Sequence, residues 1–254
     1  MKRFAPLIAV AFVSLIAPAF GEMNIDVVVD GLNNPWEMVF APNGDIYFSE
    51  RDGRVWKIEN FGEAKVIQTF PKSGSYEGGT LGLALDPNFE ENKKIYIYQT
   101  NLELEFFQNK VFSFTVDGDE LVDVQTVIDD IPGAPWHDGG RIAFGPDDKL
   151  YITTGDAVNP GWSQDLSSLA GKILRINSDG SIPDDNPFDS SAIFSYGHRN
   201  PQGIAWNDDG LFVSSEHGPS GEMGYGHDEI NVIVKGENYG WPKVVGDSSD
   251  DSYV

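Results

Sequence analysis

The chain has four histidines, His137, His198, His217 and His227, and no cysteine. Imidazole is therefore the one side chain here that ordinarily titrates near neutral pH, and a histidine at the mouth of a pocket suits general-base chemistry. His137 sits in Trp136-His137-Asp138-Gly139-Gly140-Arg141, directly before an apolar run. Position alone leaves it as either a general base or a histidine that only bonds its loop. The segment Gly197-His198-Arg199-Asn200-Pro201-Gln202-Gly203 is equally polar. Arg199 offers a planar fork of donors that matches carboxylates, and Asn200 adds a donor and an acceptor. A loop network without catalytic purpose is the competing reading. In Ser215-Glu216-His217-Gly218-Pro219 the Gly-Pro break frees backbone carbonyls, and oxygen ligands are what calcium takes. Further on, Glu229 offers a carboxylate and Tyr239 a carbonyl to another calcium. No regular calcium loop is present, so plain turns compete with that reading. The missing cysteine excludes disulfides, zinc–thiolate sites, iron–sulfur clusters and thiol nucleophiles. Serine-hydrolase elbow, zinc-protease, Walker and dinucleotide motifs are absent too.

The elements that position these residues recur. WEMVFAPNGDIYFSE begins at Trp36, TLGLALDPNFEENKKIYIYQT at Thr80, GRIAFGPDDKLYITTGD at Gly140 and QGIAWNDDGLFVSSEHG at Gln202. Each pairs a short apolar strand with a Pro/Asn/Asp/Gly turn and a second strand rich in Ile, Tyr, Phe and Val, which predicts a β-hairpin. The second copy carries a longer loop from Phe89 to Lys94. Further strands are predicted at Arg54 to Glu59, Lys110 to Val116, Lys172 to Asn177 and Glu229 to Val234. Two hairpins per repeat make a four-stranded antiparallel sheet, and a period of about 45 to 60 residues fits propeller blades better than sandwich strands. One helical turn is expected at Ser163 to Ala170, opened by a capping serine. The fold class is thus all-β, with about four blades visible. The last unit ends in an acidic tail, and closure of a ring would need more, so the propeller is expected to be incomplete at the C-terminus.

With 17 basic and 40 acidic residues the net charge is −23. That sign repels nucleic-acid backbones and anionic membranes. Residues 1–21 have the layout of a signal peptide, with Lys2 and Arg3 before an apolar run and small residues at Ala17, Ala19 and Gly21. The expected mature domain is 22–254, periplasmic or secreted, with no stable membrane insertion.

The stretches GLNNPWEMVFAPNGDIYFSERDGRV, GGTLGLALDPNF, HDGGRIAFGPDDKLYITTGDA, LAGKILRIN, GHRNPQGIAW and SEHGP…DEINVIVKGENYGWP, between Gly31 and Pro242, resemble the glucose/sorbosone dehydrogenase family. The resemblance implies a six-bladed β-propeller holding pyrroloquinoline quinone (PQQ) and calcium, and an enzyme that oxidises aldose sugars to lactones and passes electrons to an acceptor. It implies that His137 is the general base, with Arg199 at the reacting face and Asn200 in the cofactor pocket. Gly218 and Pro219 match carbonyls that hold the cofactor's calcium, and Glu229 and Tyr239 match a second, structural calcium site. Glu77 and His217 stand where some members place glutamine against the cofactor. A non-catalytic glycan- or protein-binding propeller and a calcium-dependent lactonase are the other functions this architecture serves.

Overall fold

The protein is described by a computed structural model covering residues 26–72, 76–103, 105–219, 226–246 and 253–254. The expected signal peptide lies outside the described residues. The chain divides into Met1–Asp30 and Gly31–Val254, and among the described residues every strand lies in the second unit.

Each repeat folds as an up-and-down antiparallel sheet. The first contains β1 Pro35–Phe40, β2 Ile46–Glu50, β3 Arg54–Ile58 and β4 Ala64–Thr69, hydrogen-bonded in that order. The second contains β5 Thr80–Leu85, β6 Lys94–Glu103, β7 Phe106–Asp117 and β8 Glu120–Pro132. The third contains β9 Ile142–Phe144, β10 Leu150–Thr154, β11 Lys172–Ile176 and β12 Ile193–Tyr196. The fourth contains β13 Pro201–Trp206, β14 Phe212–Glu216 and β15 Glu229–Val232. The turn chemistry read in the sequence closes the hairpins. Asn207 Oδ1 accepts the amides of Asp209 at 3.1 Å and Leu211 at 2.7 Å, and Gly210 takes φ +83°.

A two-residue period distributes side chains to neighbouring blades. On β6, Ile95 and Ile97 join Tyr47, Val55 and Ile67 of the first blade, while Tyr96 and Tyr98 join Ile142, Leu150 and Ile152 of the third. On β10, Leu150 and Ile152 face the second blade, and Tyr151 packs with Phe212 of the fourth. Central strands buried on both sides are what a propeller requires, and these side chains are at most 6 % exposed. The innermost strands come close enough to bond one another: the amide of Gly82 donates to Gly140 O at 2.9 Å. A Cβ at position 82 would lie 2.3 Å from that oxygen, so only glycine fits.

Four blades are formed among the described residues, of the six that the resemblance implies. Two local expectations are corrected. The helical segment is not at Ser163 to Ala170 but a 3₁₀ turn at Pro160–Gln164. Proline, with its preset φ, opens it, and Ser163 lies inside, its Oγ donating to His198 O at 2.6 Å. The loop from Phe89 contains one α turn, α1 Phe89–Asn92. The fourth sheet also has three strands among the described residues. After β15 the chain returns to the edge of the third blade: Tyr196 and Asn238 form a parallel bridge, and Tyr239 N donates to Tyr196 O at 2.9 Å. No helix among the described residues is long and apolar enough to cross a membrane.

Candidate active site

Glu77 precedes β5, His137 precedes β9, and Arg199 and Asn200 precede β13. These are equivalent positions at the entrances of the first strands of three successive blades, so the topology brings them to one end. The backbone there is tightly wound. His137 has φ +62°, and a Cβ on Gly155 would lie 1.9 Å from His137 O, so the β10 end can approach only as glycine.

His137 is held from three sides. Its Nδ1 bonds Asp156 Oδ1 at 2.8 Å, Arg199 Nη2 bonds its Nε2 at 2.9 Å, and its backbone amide donates to Glu77 Oε2 at 2.8 Å. The roles follow from the partners. A carboxylate only accepts and a guanidinium only donates, so the proton is on Nδ1 and Nε2 presents a lone pair. Asp156 is fully buried and its other oxygen accepts Trp241 Nε1 at 2.8 Å. The same Trp241 ring lies 5.5 Å from the guanidinium carbon of Arg199. Burial lowers the Arg199 pKa, against the raising pull of Asp156, Glu77, Glu216 and Asp228. Asn200 links the blades: Oδ1 accepts Gly139 N at 3.0 Å and Nδ2 donates to Glu77 Oε2 at 3.4 Å.

Behind Arg199 lies a second chain of bonds. Ser195 Oγ donates to His198 Nε2 at 2.8 Å, and His198 Nδ1 to Glu216 Oε2 at 2.9 Å. Glu216 Oε1 accepts the amides of Arg199 and, at 3.3 Å, Asn200. The order Ser–His–Glu resembles a hydrolase triad. Ser195 and His198 are 0 % exposed, however, so no substrate reaches the hydroxyl, and the network serves to fix the turn that presents Arg199 and Asn200.

The remaining expected residues stand differently. His217 contributes its carbonyl, which accepts Arg199 Nη1 at 3.0 Å. Its half-exposed ring turns to Gly218 O at 3.0 Å. Gly218, Pro219, Glu229 and Tyr239 all border one small cavity of about 10 Å³, along with Glu216 and Arg199. Glu229 and Tyr239 also border a larger cavity of about 590 Å³ with His227, Asp228 and Asn231.

A family model described as Glucose / Sorbosone dehydrogenase matches residues 32–253. The chain belongs to the glucose/sorbosone dehydrogenase family. It is 33 % identical over 263 residues to quinoprotein glucose dehydrogenase B of Acinetobacter calcoaceticus, covering 90 % of this chain and 54 % of that protein. It is 34 % identical over 253 residues to the aldose sugar dehydrogenase YliI of Escherichia coli, covering 93 % of this chain and 66 % of that protein. The solved PQQ-bound form of aldose sugar dehydrogenase from Streptomyces coelicolor superposes with a TM-score of 0.82 at 38 % identity, covering 90 % of this chain and 68 % of that one. The chain spans roughly half to two thirds of the length of these curated relatives.

For a member of this family, the donor set fits the reacting edge of a flat, anionic quinone: imidazole, guanidinium and amide converge there. Arg199 alone does not balance three cofactor carboxylates, so further counter-charge has to come from outside this cluster. Among the described residues no group of three or more His, Cys, Asp or Glu side chains converges as a metal site, so an ion beside Gly218 and Pro219 would depend on backbone carbonyls. Asp156, Trp241 and Glu216 join the site without standing out in the sequence. The signal was present: Asp156 follows the second strand of its repeat in TTGDA, and Glu216 ends the second strand of the next, at the same end as the strand entrances.

Proposed function

We propose that this protein is an exported PQQ- and calcium-dependent dehydrogenase that oxidises aldoses to lactones and hands the electrons to an acceptor. The observation that carries the reading is the chain Asp156···His137···Arg199, at 2.8 and 2.9 Å, among the loops of successive blades. His137, Arg199, Asn200 and Glu77 would border the cofactor, with the His217 carbonyl holding Arg199 in place. Gly218 and Pro219 would face the cofactor's calcium, and Glu229 and Tyr239 a structural one. Bound there, PQQ would supply a two-electron acceptor for the sugar's C1, and calcium would supply a Lewis acid.

The chain's own residues manage the proton. An anomeric hydroxyl takes the place of the guanidinium at His137 Nε2 and gives up its proton there. Asp156 keeps the ring oriented and stabilises the imidazolium through Nδ1–H, as the carboxylate does in a hydrolase triad. Arg199, displaced from Nε2, donates to the oxygen on which negative charge grows. Trp241 holds the second oxygen of Asp156 and so fixes the direction of the pair.

The test is reconstitution with PQQ and calcium, followed by dye reduction on a panel of aldoses. We expect reduction that depends on both additions and falls about 10²–10⁴-fold in His137→Ala. Dye reduction that is absent in the parent, or unaffected by the substitution, removes the reading.

A further inference from the structure

Two aromatic rings stand out from the loops that carry Glu77 and His137. Tyr76 is 67 % exposed and Trp136 44 % exposed. Their rings lie almost parallel, 7° apart in tilt with centroids 4.8 Å apart. Backbone bonds fix the pair in place: the amides of Tyr76 and Glu77 both donate to Pro135 O, at 3.0 and 3.1 Å. Each ring is thus the chain neighbour of a site residue, and Glu77 Oε2 itself accepts the amide of His137. Large aromatic faces left in water beside a polar pocket are a feature of binding surfaces, since such rings combine apolar area with few rotatable bonds. Already stacked on one another, these two lose little side-chain freedom when a ligand arrives.

We infer that Tyr76 and Trp136 form an outer carbohydrate subsite, a platform for the second pyranose unit of an oligosaccharide whose reducing-end sugar sits at His137. The inference rests on the dehydrogenase reading and narrows its substrate class to reducing oligosaccharides. A pyranose ring presents C–H groups on one face, and these meet the negative face of an aromatic ring while the hydroxyls stay in water. Charge selects the same class of ligand. Glu77 adjoins the platform and the chain carries −23, so a neutral polyhydroxyl ligand is admitted where a sugar phosphate or an acidic peptide is repelled.

Binding to the cofactor-free chain tests the platform directly. Glucose, maltotriose and cellotriose are titrated while tryptophan fluorescence and heat are followed. At least one trisaccharide is expected to bind about tenfold tighter than glucose. Tyr76→Ala and Trp136→Ala are expected to erase that advantage, and Trp136→Phe to keep most of it. Both rings are exposed, so the variants should unfold at the parent's temperature. If an alanine variant does not fold, Tyr76→Leu and Trp136→Leu keep the bulk without the aromatic face and give the same reading. Equal affinity for glucose and both trisaccharides, or unchanged trisaccharide binding in the variants, overturns the platform. Reduction of bound PQQ by glucose is measured separately. Reduction without a trisaccharide preference removes the platform and leaves the dehydrogenase standing. Trisaccharide binding without any reduction removes the dehydrogenase, and with it the role of an outer subsite.

Discussion

At Nδ1 of His137 the identity of one neighbour sets the chemistry of the other nitrogen. Asp156 accepts there at 2.8 Å, which leaves the lone pair on Nε2. An amide in its place can turn its NH₂ toward Nδ1 and move the proton to Nε2, so Asp156→Asn is expected to slow steady-state dye reduction about 10²–10⁴-fold. Circular dichroism should show the fold intact, and adding His137→Ala to it should cost little more, because the two residues act as one unit. Arg199→Lys keeps the charge but loses the fork that spans His137 Nε2 and His217 O. It is expected to lose about tenfold or more in kcat/KM, measured on the same assay. His137, Arg199 and Asn200 were legible in the sequence because polar side chains packed before an apolar strand have no use in a core. Asp156 was not, since an aspartate after a glycine at a strand end reads as an ordinary turn residue until the antiparallel partner places it beside the histidine.

Among the elements, the loop between β10 and β11 carries Asp156 and is tied down by Lys172. The ammonium of this fully buried lysine donates to the carbonyls of Trp162, Ser163 and Ala170 at 2.7, 3.1 and 2.7 Å. Burial pulls its pKa down to about 7, while the three carbonyls favour the charged form. With a folded value below the unfolded one, the unfolded chain holds more protons between the two. Stability therefore rises with pH from about 7 to about 10.4, by at most about 1.4 kcal/mol per pH unit. Urea unfolding across that range should show the rise in the parent and a flatter profile in Lys172→Met. The turn before β13 depends likewise on Glu216. Truncation to alanine leaves His198 Nδ1 and the amides of Arg199 and Asn200 without their acceptor. A loss of about 2–4 kcal/mol is expected in denaturant titration, and a smaller one for Glu216→Gln, which retains an oxygen. The hairpins themselves were legible from turn residues and a two-residue alternation. The 3₁₀ turn starts three residues before the serine expected to cap it, because the preset φ of Pro160 opens the turn there.

For the whole molecule, the order of the repeats is what makes a site out of scattered loops. Each blade contributes the same end of its first strand, so Glu77, His137 and Arg199, far apart in the chain, become neighbours through Asn200 and Glu77. That arrangement was legible as soon as the repeat was, whereas the return of the chain from β15 to β12, which delivers Trp241 to Asp156, follows from no local pattern. Calcium bound beside Glu229 and Tyr239 would stabilise the folded chain by mass action, by about 2.7 kcal/mol at a hundredfold excess over Kd. Thermal melts with calcium and with a chelator should differ accordingly, and Glu229→Gln should shrink the difference; identical melts would argue against an ion there. The most direct measurement is a single turnover. Protein loaded with PQQ and calcium is mixed with glucose, or with glucose deuterated at C1, and the quinone absorbance is followed. The account predicts rapid reduction, slower with deuterium, and none on that timescale in His137→Ala that still carries the cofactor. Reduction at the parent's rate in the loaded His137→Ala protein, or no reduction in the loaded parent, would contradict it.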